Sequence, residues 1–224
     1  MSRWWPTRIR GRDAEGGAKP LLRALVISDT NPRLPAGIAA FVRDNDVQLV
    51  ITGGDLGADD LRGIEDLSVP AVGVYGNHCR RGYFADLGII DLHVNQVSVN
   101  GFSFTGLEGC VRYKDGCSDI LYSQDEYREL VKSLPAADVI VSHCPPAGIN
   151  DHPEHQPHVG VEALRDHIAA RPPKLLIHGH TYPKDPVTQW GPTRVAYVYR
   201  AAVIDIAADL SITQASANAG EFTL

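Results

Sequence analysis

LLRALVISDTNPRLPAGIAAFVRDNDVQLVITGGD, residues 21–55, contains two short apolar runs with a helical pattern between them. The runs at 21–28 and 47–52 are rich in branched apolar side chains, which is typical of buried strands. Between them, Ile38, Phe41 and Val42 recur at helical spacing. A short helix is predicted at 59–67 and a third strand at 71–75. This strand–helix–strand–helix–strand order predicts a parallel sheet covered by helices.

The pattern changes in the middle of the chain. Two alternating runs flank Asn100-Gly101, which predicts a β-hairpin. Ser123 followed by Glu126 is a capping box and predicts the start of a helix. Strands are predicted at 138–142 and 174–178, a helix at 161–170, and a closing β-meander from 193 to 213. The fold class is therefore α/β, with a mixed second sheet.

Length and composition favour one ordinary domain. The chain has 224 residues, of which 44% are hydrophobic and 21% charged, and we expect a single domain over 21–224. Residues 1–20 are basic and contain Trp4 and Trp5, and we expect a flexible N-terminal arm there. No apolar run reaches about 18 residues, so no membrane span is expected.

Charge and cysteine content exclude two further classes. The net charge of −6 argues against a nonspecific nucleic-acid binder, which needs a broad basic surface. The four cysteines show no C-x-x-C spacing, which argues against a structural zinc site. Reduced thiols predict a cytoplasmic protein.

Polar side chains follow five of the predicted strands. The carboxyl ends of strands in open α/β sheets gather at one crevice, so we expect these side chains to lie close together. Carboxylate, amide oxygen and imidazole are together the ligands of Mn²⁺, Fe²⁺ or Zn²⁺. The set contains Asp29, Asn31, Asp55, Asn77, His78, His143 and His180.

The order of these residues resembles a known family. The blocks SDTN (28–31), GGDLG (53–57), GNHC (76–79), SHCPP (142–146) and GHTY (179–182) are similar to the D-x-H, G-D, G-N-H, H and G-H-x-H motifs of the calcineurin-like metallophosphoesterases. They cover about residues 22–183. The resemblance implies a four-layer αββα sandwich with two mixed β-sheets, and hydrolysis of phosphoesters by metal-activated water.

Carried over by position, the resemblance implies one complete metal site, made of Asp55, Asn77, His143 and His180. The second site would contain Asp29 and two histidines, but Asn31 and Tyr182 stand in the histidine positions. Asn31 still offers an amide oxygen as a weak ligand, whereas a protonated tyrosine is a poor one. We predict one tightly bound divalent ion, with Mn²⁺ preferred over Fe²⁺ and Zn²⁺, and a second site that is weak or empty.

His78 has two interpretations. The resemblance implies that it faces the substrate as general acid, while a structural alternative is a hydrogen bond that holds the turn at Asn77. Cys79 stands where the family usually has an acidic residue that orients this histidine. Four further side chains are candidates for substrate binding, namely Arg80, Arg81, His158 and Tyr182. The two arginines have the alternative of being simply solvated.

The loss of histidines from the second site affects which phosphoester the protein is expected to hydrolyse. A phosphodiester carries one negative charge and a monoester up to two, so loss of one ion should harm diester hydrolysis less. We therefore expect a small phosphodiester substrate, and the resemblance suggests small or cyclic nucleotides. The alternative is a catalytically weak or inactive scaffold, or a nucleotide-binding protein. The sequence leaves the oligomeric state open.

Overall fold

Two six-stranded mixed sheets form the computed structural model, which describes residues 21–207 and 212–216. The predicted N-terminal arm, residues 1–20, lies outside the described residues. The strands are, in chain order, β1 (Leu21–Ser28), β2 (Leu49–Thr52), β3 (Ala71–Gly73), β4 (Ile89–Asp91), β5 (Val97–Val99), β6 (Phe102–Leu107), β7 (Cys110–Val111), β8 (Leu121–Tyr122), β9 (Val139–Ser142), β10 (Leu175–His178), β11 (Val187–Trp190), β12 (Thr193–Tyr197), β13 (Arg200–Ala207) and β14 (Ile212–Ser216). The α-helices are α1 (Gly37–Asp44), α2 (Tyr83–Asp86), α3 (Gln124–Lys132) and α4 (Glu162–Ala170).

The first sheet has the order β14-β13-β1-β2-β3-β4. Strands β1 to β4 run parallel to one another, and for β1, β2 and β3 the alternating pattern predicted this arrangement. Strand β13 pairs antiparallel with β1, from Leu21↔Ala207 to Ser28↔Arg200. The second sheet has the order β11-β12-β10-β9-β6-β5, and β7 and β8 form a separate small pair.

Three clusters of apolar side chains fill the spaces between the four layers. The central cluster lies between the sheets and joins Val26 and Ile51 of the first sheet with Phe104, Val141 and Ile177 of the second. A second cluster packs α1 and α2 against the outer face of the first sheet, and a third packs α3 and α4 against the second sheet. The predicted four-layer αββα sandwich is confirmed.

The hairpin predicted at Asn100-Gly101 and the helix start predicted at Ser123 are also confirmed. Asn100 and Gly101 have φ of 48° and 83°, so both central turn residues are left-handed, and β5 pairs antiparallel with β6. Helix α3 begins with the predicted capping box, in which Glu126 N–H donates to Ser123 Oγ and Ser123 N–H donates to Glu126 Oε2. No helix among the described residues is long and apolar enough to cross a membrane.

Two predictions were wrong. The helix predicted at 59–67 is a single 3₁₀ turn, Ala58–Leu61, because Gly63 adopts a left-handed φ of 89° and ends it. The closing meander does not form as predicted, because β12 pairs with β10 and β11 in the second sheet while β13 belongs to the first. Both strands are mostly buried, so their apolar runs do not indicate which sheet each joins.

Candidate metal centre

The carboxyl ends of five strands, three from the first sheet and two from the second, meet at one crevice. Hydrogen bonds join the loops that follow them: Asp29 N–H donates to Gly54 O at 2.9 Å, and Gly179 N–H donates to His143 O at 3.2 Å. Contacts also cross from one sheet to the other: His143 Nδ1 lies 2.8 Å from Gly53 O, and His180 N–H donates to Asp29 Oδ1 at 2.8 Å. Strand ends from both sheets therefore face one another. This edge carries Asp29, Asp55, Asn77, His143 and His180.

Four of these side chains surround a space suited to one cation. One ligand atom each from Asp55, His143 and His180 can lie within 4.8 Å of the others. His143 Nε2 is 2.9 Å from Asn77 Oδ1 and 3.4 Å from Asp55 Oδ2. The structure therefore brings together a carboxylate, an amide oxygen and two imidazoles.

Backbone carbonyls set the tautomers of both imidazoles. His143 Nδ1 lies 2.8 Å from Gly53 O, and His180 Nε2 lies 2.7 Å from Pro157 O. A carbonyl oxygen only accepts, so each of these nitrogens carries a proton. The lone pair left for a ligand on His180 is on Nδ1, whereas His143 faces the centre with Nε2, which lies 2.9 Å from the acceptor Asn77 Oδ1. Metal-binding histidines in proteins are usually held in this manner.

The electrostatics of the centre favour positive charge. Burial raises the pKa of Asp55, but the charge and hydrogen bond of His143, with the backbone N–H of His78, outweigh it and hold that pKa well below its usual range. Burial alone would lower the pKa of His143, yet Asp55 raises it to about 9. Burial and the charge of His143 lower the pKa of His180 to about 3, so that ring stays neutral. A divalent ion can take the place of the His143 proton.

Three residues of the centre have left-handed backbones. Asp29, Asp55 and His180 have φ of 67°, 54° and 68°. This region is sparsely populated by residues other than glycine, and such conformations cluster at functional sites. The sharp turn after each strand directs the chain back across the crevice.

The predicted second metal site has one carboxylate and no imidazole at either expected position. Asp29 Oδ1 accepts the His180 backbone N–H at 2.8 Å, and burial raises the pKa of Asp29 to about 6 despite the charge of His143. Asn31 is exposed, and its Oδ1 accepts Arg33 N–H in a local turn. Tyr182 is 61% exposed, and its ring packs 5.7 Å from that of Tyr199.

His78 is exposed at the rim of the centre. Its backbone N–H donates to Asp55 Oδ1 at 2.8 Å, so the main chain and not the imidazole bonds to the ligand loop. Cys79 is buried, and its Sγ accepts Gly76 N–H. Asp119 Oδ2 lies 3.4 Å from His78 Nδ1. Sequence reasoning missed Asp119, which stands in an irregular loop without any motif.

The four candidate substrate residues have different surroundings. Arg80 is exposed, but Arg81 is bound by the buried Glu108, with Nη2 2.6 Å from Oε1. The ring of His158 lies 5.3 Å from that of His180, and the ring of Tyr182 lies 6.1 Å from His158. His158 and Tyr182 thus border the centre, whereas the guanidinium of Arg81 is held by a core carboxylate that sequence reasoning did not identify.

Close backbone approach to Asp55 depends on Gly76. A Cβ added at Gly76 would overlap the backbone nitrogen and Oδ1 of Asp55, neither of which can move freely. We expect Gly76→Ala to weaken Mn²⁺ binding about 10–100-fold, as when a ligand loses its supporting contacts. Calorimetric Mn²⁺ titration measures this. Gly57→Ala is the matched control, because its Cβ would meet only Asp60 Oδ2, at 3.6 Å; equal affinities in the two variants would contradict the prediction.

No protein-family model and no curated protein matches the chain. Several solved structures, however, are similar to the chain. A protein of Thermus thermophilus superposes with a TM-score of 0.64 at 14% identity, over 89% of this chain and 100% of its own. The anchor of the inner membrane complex of Plasmodium gives 0.53 at 13% identity, over 91% of this chain and 87% of its own.

An archaeal phosphodiesterase is also similar. Its TM-score is 0.50 at 15% identity, over 87% of this chain and 99% of its own. At such identities these likenesses concern the fold and leave substrate and activity open. The chain shares its fold with these solved structures, among them the archaeal phosphodiesterase, which agrees with the fold that the ordered strand-end motifs indicated.

Proposed function

We propose that the protein is a metal-dependent phosphoester hydrolase that prefers phosphodiesters, with small or cyclic nucleotides as candidate substrates. The observation that carries this proposal is the centre formed by Asp55, Asn77, His143 and His180, with both imidazole tautomers set by backbone carbonyls. The donor set suits Mn²⁺, with Fe²⁺ and Zn²⁺ as alternatives. When bound, such an ion lowers the pKa of a water and stabilises charge on phosphoryl oxygens.

The protein's own groups bind and orient the ester. His180 contributes a neutral donor, and His143 becomes one when an ion takes the place of its proton. Gly53 O and Pro157 O hold the other nitrogen of each ring. Arg80 is exposed and free to approach a phosphate, and His158 and Tyr182 border the crevice. His78 gives a proton to the leaving oxygen, a role worth about 10²–10⁴-fold in rate.

The preference for diesters rests on the second site. Asn31 uses its amide oxygen within its own loop and Tyr182 is mostly exposed, so Asp29 lacks imidazole partners at both expected positions. With one tightly held ion, a substrate with one negative charge loses less stabilisation than one with two. We also propose a cytoplasmic location, supported by four cysteines that form no disulfide.

Hydrolysis of an aryl phosphodiester tests the proposal. We expect activity that requires added Mn²⁺ and falls at least about 100-fold in His180→Ala, because a ligand and its fixed lone pair are lost. His152→Ala is the control, since that residue is an exposed imidazole of the neighbouring loop. Turnover of monoesters alone would refute the diester preference. Inactivity with every divalent ion would favour the non-catalytic scaffold or nucleotide-binding role.

A further inference from the structure

A carboxylate lies beside the imidazole of His78, although the GNHC motif that contains this histidine has no acidic residue. Cys79, the next residue, is buried, and its thiol bonds to Gly76 N–H and Leu56 O. That thiol therefore points into the first sheet's helix layer and is committed to the turn. Asp119 Oδ2, from the segment between β7 and β8, lies 3.4 Å from His78 Nδ1. The carboxylate reaches the ring from a different part of the chain.

The backbone holds Asp119 in place beside the loop that carries the metal ligands. Ile120 N–H donates to Asn77 O at 2.8 Å, and Cys110 N–H donates to Ile120 O at 3.2 Å. Ile120 is itself buried, at 4% exposure. The residue after Asp119 is thus bonded to the residue before His78, so the main chain holds the two segments side by side.

Lys114 completes the arrangement. Its Nζ lies 2.6 Å from the same oxygen, Asp119 Oδ2, and the Asp119 side chain is only 16% exposed. The carboxylate of Asp119 thus lies between an ammonium and an imidazole.

We propose that Asp119 is the positioning residue of His78: its carboxylate accepts the Nδ1–H of the ring, so that Nε2 carries the proton given to the leaving oxygen. This inference rests on the proposed function and adds a residue to it. A histidine delivers its proton from one nitrogen only when the other is held by a partner. Asp119 is that partner, and it replaces the acidic residue that position 79 does not supply.

The proton transfer balances as follows. The phosphorus–oxygen bond to the leaving group breaks, and its electron pair stays on the leaving oxygen, which takes the Nε2 proton of the His78 imidazolium. The oxygen of one water forms the new phosphorus–oxygen bond and releases a proton to solvent, from which His78 is protonated again. One diester and one water yield one monoester and one alcohol.

Two readouts test the inference in the full chain. First, ¹⁵N NMR of the neutral His78 ring identifies which nitrogen holds the proton. We expect Nδ1–H in the wild type and a mixture dominated by Nε2–H in Asp119→Ala. Second, kcat with Mn²⁺ is compared for a diester with an alkyl leaving group and one with a nitrophenolate leaving group. Asp119→Ala should lose about 10-fold or more on the alkyl ester only, since nitrophenolate needs no proton.

Matched variants separate this role from a general effect on the loop. Asp115→Ala removes an exposed carboxylate from the same segment and should change neither readout. Asp119→Asn keeps the shape and removes the charge, and should also lose activity on the alkyl ester. An unchanged tautomer in Asp119→Ala, or equal losses on both esters, would overturn the inference. Absence of all hydrolysis by the wild type, with the tautomer set by Asp119, would instead refute the proposed function.

Discussion

Asp55→Asn is expected to abolish tight metal binding and to reduce phosphodiester hydrolysis more than about 100-fold. Asp55 supplies the negative charge of the centre, and its Oδ2 lies 3.4 Å from His143 Nε2. Removing only a hydrogen-bonding partner of a metal ligand costs about 10–100-fold in affinity, so loss of the charged ligand should cost more. Asparagine can still accept the His78 backbone N–H at the Oδ1 position, so the loop should fold normally.

The measurement is a calorimetric Mn²⁺ titration together with initial rates. Wild type should bind one ion tightly per chain, because Asn31 and Tyr182 leave the second site without imidazoles. The control is Asp59→Asn, whose carboxylate is exposed and contacts only Arg62 among the ion pairs of the described residues. Two tightly bound ions in the wild type, or unchanged affinity in Asp55→Asn, would contradict the assignment of the centre.

Arg81→Ala is expected to destabilise the fold by about 3 kcal/mol, the lower end of the cost of breaking a buried ion pair. Glu108 is only 3% exposed, and Arg81 contacts it with both Nε and Nη2. Without the guanidinium the carboxylate keeps the Tyr122 hydroxyl at 2.7 Å and His93 at 3.6 Å. The lower end applies because the Arg81 side chain is itself half exposed. Urea unfolding at constant m-value measures the loss.

The neighbouring arginine provides the control. Arg80 is exposed, so Arg80→Ala should change stability by no more than about 0.5 kcal/mol. Its expected effect is a higher KM for the diester, since its guanidinium is free to approach a phosphate. Combining Arg81→Ala with Glu108→Gln should recover part of the lost stability, because the uncompensated charge is removed as well. Equal stability of the two single alanine variants would refute the structural role of Arg81.

The sheets and the gathering of the polar strand-end residues at one crevice could be predicted, because each depends on local pattern and one general rule. Apolar runs marked β1, β2 and β3, and the rule that parallel strands end at one crevice placed Asp55 and Asn77 together. Asn100-Gly101 predicted its hairpin because the turn requires two left-handed residues. Failures occurred where local pattern is ambiguous, as at β12 and β13, whose buried apolar runs fit either sheet.

The partners of the site residues left no trace in spacing or composition. Gly53 O holds His143 across a separation of 90 residues, and Arg81 is held by Glu108, 27 residues away. Asp119 lies in a segment with no periodicity, yet it reaches His78 because Ile120 bonds to Asn77. The adjacent Arg80 and Arg81 therefore cannot be told apart from the sequence, although only Arg81 is paired with Glu108 in the structure.

The amino-acid order alone specified an α/β chain whose strands end in oxygen and nitrogen donors, because residue type and position at a strand end decide which groups reach the crevice. Tertiary packing decided which nitrogen of each imidazole faces the crevice, which acid accompanies His78, and which arginine remains exposed without a carboxylate partner among the described ion pairs. Those choices depend on carbonyls and carboxylates from segments remote in the chain, and only the face-to-face packing of the two sheets and their loops brings them within hydrogen-bonding distance.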